Sequence, residues 1–484
     1  MSRTIALLAL LVMPVATAAT AAEPAGAAPR SNGNTSADRA CRAMDAALAA
    51  PAIQATGGHV RAEILMAAAV AYADCGRERD AFAAARDGDA VERTAYSAWV
   101  LAQLAVKVGE FATSREAFVD YARRWPEQVV SADLPLAWRN VLALQGQPEA
   151  QRDFLQQLFD AGFDPADGHA SNLWHTLAIL HLEAGDEATA RVVAGRVMGF
   201  RNAAKMRVDR RFDRLLADQP TLGDPRAQGA RLIEALTKKE TAYPRSMSLR
   251  VELADEWVLM GDYAKAVAYV DASIKAVEQD EGEQWTELRH QWWLLRARSS
   301  ASLRQGDGTQ AIRDLERGSL MVAPGAPDVP RYALAEYFCK AGRLGEGEGL
   351  LTAAVDASAA PLAPNVAALR ACLAAGRGDM VAARRFADDV ATSGNGHTGE
   401  LHFLALLAIG DVDAAAPRLI ALLENHDTRV DVLMLVQKDR YLASLPGVVA
   451  ERRTLEALLA RPDVVAALAK YGRVLAWDLF LGLD

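Results

Sequence analysis

The sequence predicts an all-α fold, a solenoid of stacked helical hairpins arranged in two halves. Three observations predict it. First, apolar helical runs are cut by glycine at a near-constant spacing: Gly76, Gly109, Gly146, Gly185, Gly261, Gly306, Gly342, Gly376 and Gly410. The intervals are 33, 37 and 39, then 76 (two units), then 45, 36, 34 and 34. A period in the mid-thirties is the mark of a helical-hairpin array, because one hairpin cannot bury its apolar face alone and must stack on neighbours. Second, a small residue recurs five positions after the glycine, at Ala81, Ala190, Ala266, Ala311, Gly347 and Ala415. It lets the second helix approach the first closely. Ser114 and Gln151 depart from this rule. Third, the chain is 51% hydrophobic but only 6% aromatic, and it is rich in alanine. Alanine has the highest helix propensity and permits short interaxial distances.

Taken in order, residues 1–22 have the form of an export signal. "MSR" gives a positive start, "TIALLALLVMPVA" a short apolar core and "TAATAA" a small-residue cleavage region near Ala21 or Ala22. Residues 23–36, rich in Pro, Gly, Ser and Asn, are expected to be a flexible leader. No later run reaches the roughly 18 uninterrupted apolar residues a membrane span needs, so no transmembrane segment is expected in the mature chain. The formal net charge of -9 excludes a general nucleic-acid binder, which needs excess Lys and Arg to displace phosphate counterions.

Export permits disulfides among the four cysteines. Cys41 opens one helical run and Cys75 closes the next, so an antiparallel hairpin brings them together. Cys339 and Cys372 fall on the first helices of neighbouring hairpins, which makes them a second candidate pair. The alternative is four buried free thiols.

The turn "GDYAKA" of residues 261–266, with the period near 34, resembles the tetratricopeptide repeat (TPR) family. The resemblance covers most of residues 55–426. It implies a right-handed superhelix whose concave face is lined by the first helix of each pair, at about 13, 10, 6 and 3 residues before the turn glycine. Those offsets select partner-binding candidates here: Tyr96, Trp99, His175, Trp293, Arg296, Tyr332 and Glu336. Aromatics mixed with polar groups suit peptide recognition. For each of them, ordinary packing between repeats is the competing expectation.

There is no His-Glu-x-x-His helix, no phosphate-cradling loop ending in Lys-Ser/Thr, no Gly-x-Ser-x-Gly elbow and no C-x-x-C pair. No metal, cofactor or catalytic residue is therefore expected. "DGD" at 87–89 and "DVD" at 411–413 are expected at loops or helix starts, as turn and cap residues.

One stretch stands apart from the repeat. "AAKMRVDRRFDRLL", residues 203–216, is basic in an acidic chain. A related run, "MLVQKDRYLASLPG", begins at Met434. Each follows a hairpin and soon meets a proline, Pro220 or Pro446. Two halves follow, 37–222 and 223–446, the first closed by a terminator over 203–220. Residues 447–484 are expected to form capping helices over the open end of the array. The functional expectation is a non-catalytic exported scaffold that binds protein or peptide in the cell envelope, in the periplasm of a Gram-negative bacterium. The rival is a substrate-binding platform or subunit of a cell-envelope polysaccharide or peptidoglycan enzyme machine; a pocket with clustered carboxylates or His would favour it.

Overall fold

In the computed structural model, residues 36–280, 285–286, 288–321, 329–355, 363–392, 398–437 and 445–477 are described. Residues 1–22, expected to be an export signal, nearly all of the expected leader, residues 438–444 of the run that begins at Met434 and the tail beyond Trp477 lie outside them. Helices dominate the described residues. The chain divides between Asp164 and Pro165 into two compact units. The sequence pattern puts its division at 222/223 instead.

The first unit contains α1 (Ser36–Ala49), α2 (Pro51–Gln54), α3 (Gly58–Asp74), α4 (Glu78–Val91), α5 (Ala95–Lys107), α6 (Phe111–Arg124), α7 (Leu134–Leu142) and α8 (Pro148–Asp160). α3 packs on α4 and α5 on α6 as antiparallel hairpins. The second unit begins with α9 (Ser171–Glu183), α10 (Glu187–Ala194), α11 (Phe200–Val208), α12 (Asp213–Asp218) and α13 (Pro225–Ala242). Five hairpins follow, in chain order. They are α14 (Met247–Met260) with α15 (Tyr263–Gln279), α16 (Gln291–Arg304) with α17 (Gly308–Ser319), and α18 (Val329–Lys340) with α19 (Leu344–Val355). Next come α20 (Ala363–Gly376) with α21 (Met380–Thr392) and α22 (Thr398–Ala408) with α23 (Val412–Glu424). The unit ends with α24 (Arg429–Leu435), α25 (Pro446–Leu459) and α26 (Pro462–Tyr471).

The turns form for the reason the sequence suggests. Gly261 sits at φ 83°, and the next amide, Asp262, reaches back 2.9 Å to the carbonyl of Trp257. This satisfies a helix-end carbonyl through a left-handed residue that only glycine adopts without strain. One turn is displaced from its expected place. Gly376 lies inside α20, and the left-handed residue is Gly378. Counting five from Gly378 gives Ala383, fully buried, where counting from Gly376 gives the exposed Val381. Gly376 has a different role: a Cβ there would come within 2.8 Å of Leu344 Cδ2.

The small-residue rule is a packing rule. Ala81, Ala190, Ala266, Ala311 and Ala415 are all buried. The two exceptions keep the close approach by hydrogen bonding. Ser114 Oγ donates to the carbonyl of Ala102 at 2.9 Å, and Gln151 Nε2 donates to Val141 at 3.1 Å. Each bond joins the second helix to the first, so the buried Ser114 hydroxyl and Gln151 amide each keep a partner. Cys41 is bonded to Cys75 and Cys339 to Cys372. Asp411 caps α23 by accepting the Ala414 amide at 2.9 Å. Asp87 to Asp89, expected at a loop or helix start, fall inside α4. Asp89 is buried there and holds Arg93 and Ser97.

Residues 203–216 do not end a sequence of hairpins; they join the beginning of the second unit to its end. Phe200, Ala204 and Val208 share one hydrophobic cluster with Val432, Leu433, Met434, Val464, Leu468 and Trp477. The start of the second run, Met434 and Val436, thus meets the first run through the packing of α11 on α24. After α26 the chain turns extended at Gly472 and pairs with Asp209, the Arg473 amide donating to the Val208 carbonyl at 2.9 Å. The basic side chains are consumed locally. Lys205 pairs with Asp431 at 2.9 Å, Asp213 with Arg473, and Arg214 with Glu187 at 2.6 Å. Arg211 holds the fully buried Asp209 at 2.6 Å and Glu183 at 2.5 Å, and Arg207 lies over the Trp477 ring.

Candidate functional site

The seven predicted lining residues divide between the units. In the first, Tyr96 is exposed (53%) at the start of α5. Trp99 is not an open contact: its indole Nε1 donates to Asp133 at 2.7 Å, fixing a buried carboxylate beside α7. In the second unit, His175 is buried, its ring stacked 5.5 Å from Phe212. Burial, helped by Lys205 and Arg211, holds its pKa well below the usual histidine range, so it is neutral packing. Tyr332 packs against the cluster around Ala335 and Leu369, and burial raises its pKa. Glu336 pairs with Lys340 at 2.8 Å, and Glu451 of α25 also acts on that ammonium. Trp293 lies against Trp292, the ring centroids 3.8 Å apart and the planes tilted by 30°. Arg296 lies over Trp293 and reaches Asp255 at 3.5 Å.

Of the seven, Arg296 alone lines the charged cleft of the second unit, a cavity of about 180 Å³. Three elements build its polar walls. α14 places Glu252, Asp255 and Glu256 there, since positions i, i+3 and i+4 share a helix face. α16 places Arg296, Ser300 and Arg304 there at a spacing of four. α11 adds Arg201 and Asn202, while His169 and Asn172 close the α9 side.

Glu256 is the best-defined group in the cleft. It is 5% exposed and accepts the Phe200 amide at 2.6 Å. Burial pushes its carboxyl up to about 7; the Phe200 amide and Arg201 oppose this, and Asp255 adds to it. Gly229 makes room for it, because a Cβ there would lie 2.8 Å from Glu256 Oε1. His169 stands 3.7 Å from Glu252. Asn202 is buried, its Nδ2 donating to the Met198 carbonyl at 3.0 Å, while its Oδ1 has no hydrogen-bond partner among the described residues.

The first unit has a larger hollow of about 330 Å³ lined by Arg86, Asp89, Arg93 and Glu116. Its Arg93 is already engaged by Asp89 at 2.6 Å and Asp120 at 3.0 Å. Among the described residues no group of three His, Cys, Asp or Glu is placed to hold a metal, and no helix is long and apolar enough to cross a membrane.

The repeat offsets that select Arg296 also fall on Asn172, 13 before Gly185, and Ser300, 6 before Gly306. Applied before Gly261, the offsets also reach Asp255 and Val258, which line the cleft. Arg201 and Asn202 had no such signal, because residues 195–224 lack the repeat punctuation.

No family model and no curated protein matches this chain. Several solved structures are similar at 11% identity. A chain of the APC/C hetero-tetramer Cut9-Hcn1 covers 90% of this chain over 96% of its own, with a TM-score of 0.30. A tetratricopeptide repeat protein from Parabacteroides merdae covers 71% over 98%, with a TM-score of 0.29. Yeast Tom70 covers 85% over 99%, with a TM-score of 0.22. The fold itself, by its turns and close-packed hairpins, is a TPR-like helical repeat solenoid.

Proposed function

We propose that the protein is an exported, non-catalytic repeat scaffold that binds protein or peptide partners in the cell envelope, in the periplasm of a Gram-negative bacterium. Tyr96 carries this reading. Its ring stands half in water on the first helix of a hairpin, where the repeat presents side chains that the core does not use. Exposed aromatics of this kind give large contact area for little lost rotamer freedom. Two bonded cysteine pairs fit an oxidising compartment, as does the apolar start of the sequence. The test is Tyr96→Ala. The variant should keep its urea midpoint and lose the partner captured by crosslinking in intact envelopes. Unchanged capture refutes the role of this surface.

A second reading is favoured by the cleft of the second unit. Clustered carboxylates, a histidine and a carboxyl poised near neutrality suit a substrate-binding platform or subunit of a polysaccharide or peptidoglycan enzyme machine. In that role the repeats hold a small polar substrate, and the chemistry belongs to a partner.

A further inference from the structure

We propose that the cleft of the second unit binds a small zwitterion of the α-amino-acid class, with its carboxylate toward the arginines and its ammonium toward the α14 carboxylates and Asn202. The inference rests on the second reading above, that this cleft takes a small polar ligand.

Size is the first argument. A cavity of about 180 Å³ has room for several waters or one small molecule. Charge is the second. The walls are bipolar: Glu252 and Asp255 stand on α14, while Arg201 comes from α11 and Arg296 and Arg304 from α16. A purely anionic ligand meets the carboxylates, and a purely cationic one meets three guanidiniums. A molecule carrying both signs on neighbouring atoms complements both walls.

The third argument is Asn202. The residue is only 4% exposed, and its Oδ1 lacks a partner while its Nδ2 is anchored on Met198. Buried acceptors are seldom left unmade, and those that are point to a missing donor. An ammonium N–H supplies one. The Ser300 hydroxyl and the Asn172 amide add neutral groups at the rim.

The experiment is isothermal titration of the full chain with each standard L-amino acid, with acetate, methylammonium and glycerol as controls. At least one amino acid should bind at a single site, with the controls weaker by about tenfold or more. Asn202→Leu and Arg304→Gln should each weaken binding by about tenfold, with helical circular dichroism and urea midpoint retained. If Asn202→Leu does not fold, Arg304→Gln and Ser300→Leu decide. The proposal is overturned if no amino acid binds up to about 10 mM, or if the folded variants bind as the parent does. Acetate or glycerol binding as tightly as every amino acid overturns the ligand class and leaves the cleft as a site. No binding by any probe removes the second reading as well.

Discussion

Glu256→Gln gives a prediction whose size follows from the structure. The folded carboxyl stays protonated up to about pH 7, whereas the unfolded one ionises near 4.5. Its contribution is therefore most favourable below pH 4.5 and is lost as pH rises from 4.5 to 7. Above 7 the folded carboxylate is ionised and the penalty levels off. Each pH unit between the two values is worth about 1.4 kcal/mol, so the full span is worth about 3 kcal/mol, and about 2.5 kcal/mol falls between pH 5 and pH 8. Glutamine cannot ionise, yet its Oε1 can still accept the Phe200 amide. Urea unfolding followed by far-ultraviolet circular dichroism at pH 5 and pH 8 measures this for both proteins. Other ionisable groups cancel in the comparison. The parent should lose about 2–3 kcal/mol more than Glu256→Gln across that interval. Parallel losses, within about 0.5 kcal/mol, would refute the claim that Glu256 is buried at the expense of its charge.

Three further outcomes follow from packing and connectivity. Gly472→Ala should lower stability by about 1–3 kcal/mol and expose the C-terminal segment to limited proteolysis, because its Cβ would meet Leu433 Cδ2 at 2.4 Å and the Val208 carbonyl at 2.7 Å. Trp99→Phe should cost about 1–3 kcal/mol in urea melts, since the buried Asp133 loses an indole donor. Cys41→Ser with Cys75→Ser should destabilise the first unit by about 3–4 kcal/mol, the entropy of a loop with a sequence separation of 34, in non-reducing urea melts.

Legibility in the sequence followed the repeat. Glycine and the small residue after it are local signals, so turns, hairpins and both cysteine pairs were within reach of the sequence alone. Gly376 shows the limit: two glycines two residues apart both suit a helix end, and only the burial of Ala383 decides between them. The fate of 203–216 was not legible. Its similarity to the run at Met434 was visible, but that α11 packs against α24 depends on the path of every hairpin between them. The cleft was half visible for the same reason. Arg296, Ser300 and Asp255 obey the repeat offsets, whereas Arg201 and Asn202 arrive from α11. Offsets also place a side chain without saying what covers it, as His175 and Tyr332 show.

The scaffold claim is tested most directly by a photo-crosslinking residue placed at Tyr96 in the living cell, with the same residue at Val192, exposed on the second helix α10, as its control. The account predicts one discrete protein adduct from position 96, absent at 192 and recovered from the envelope fraction. Equal labelling from both positions, or none from position 96, would contradict it.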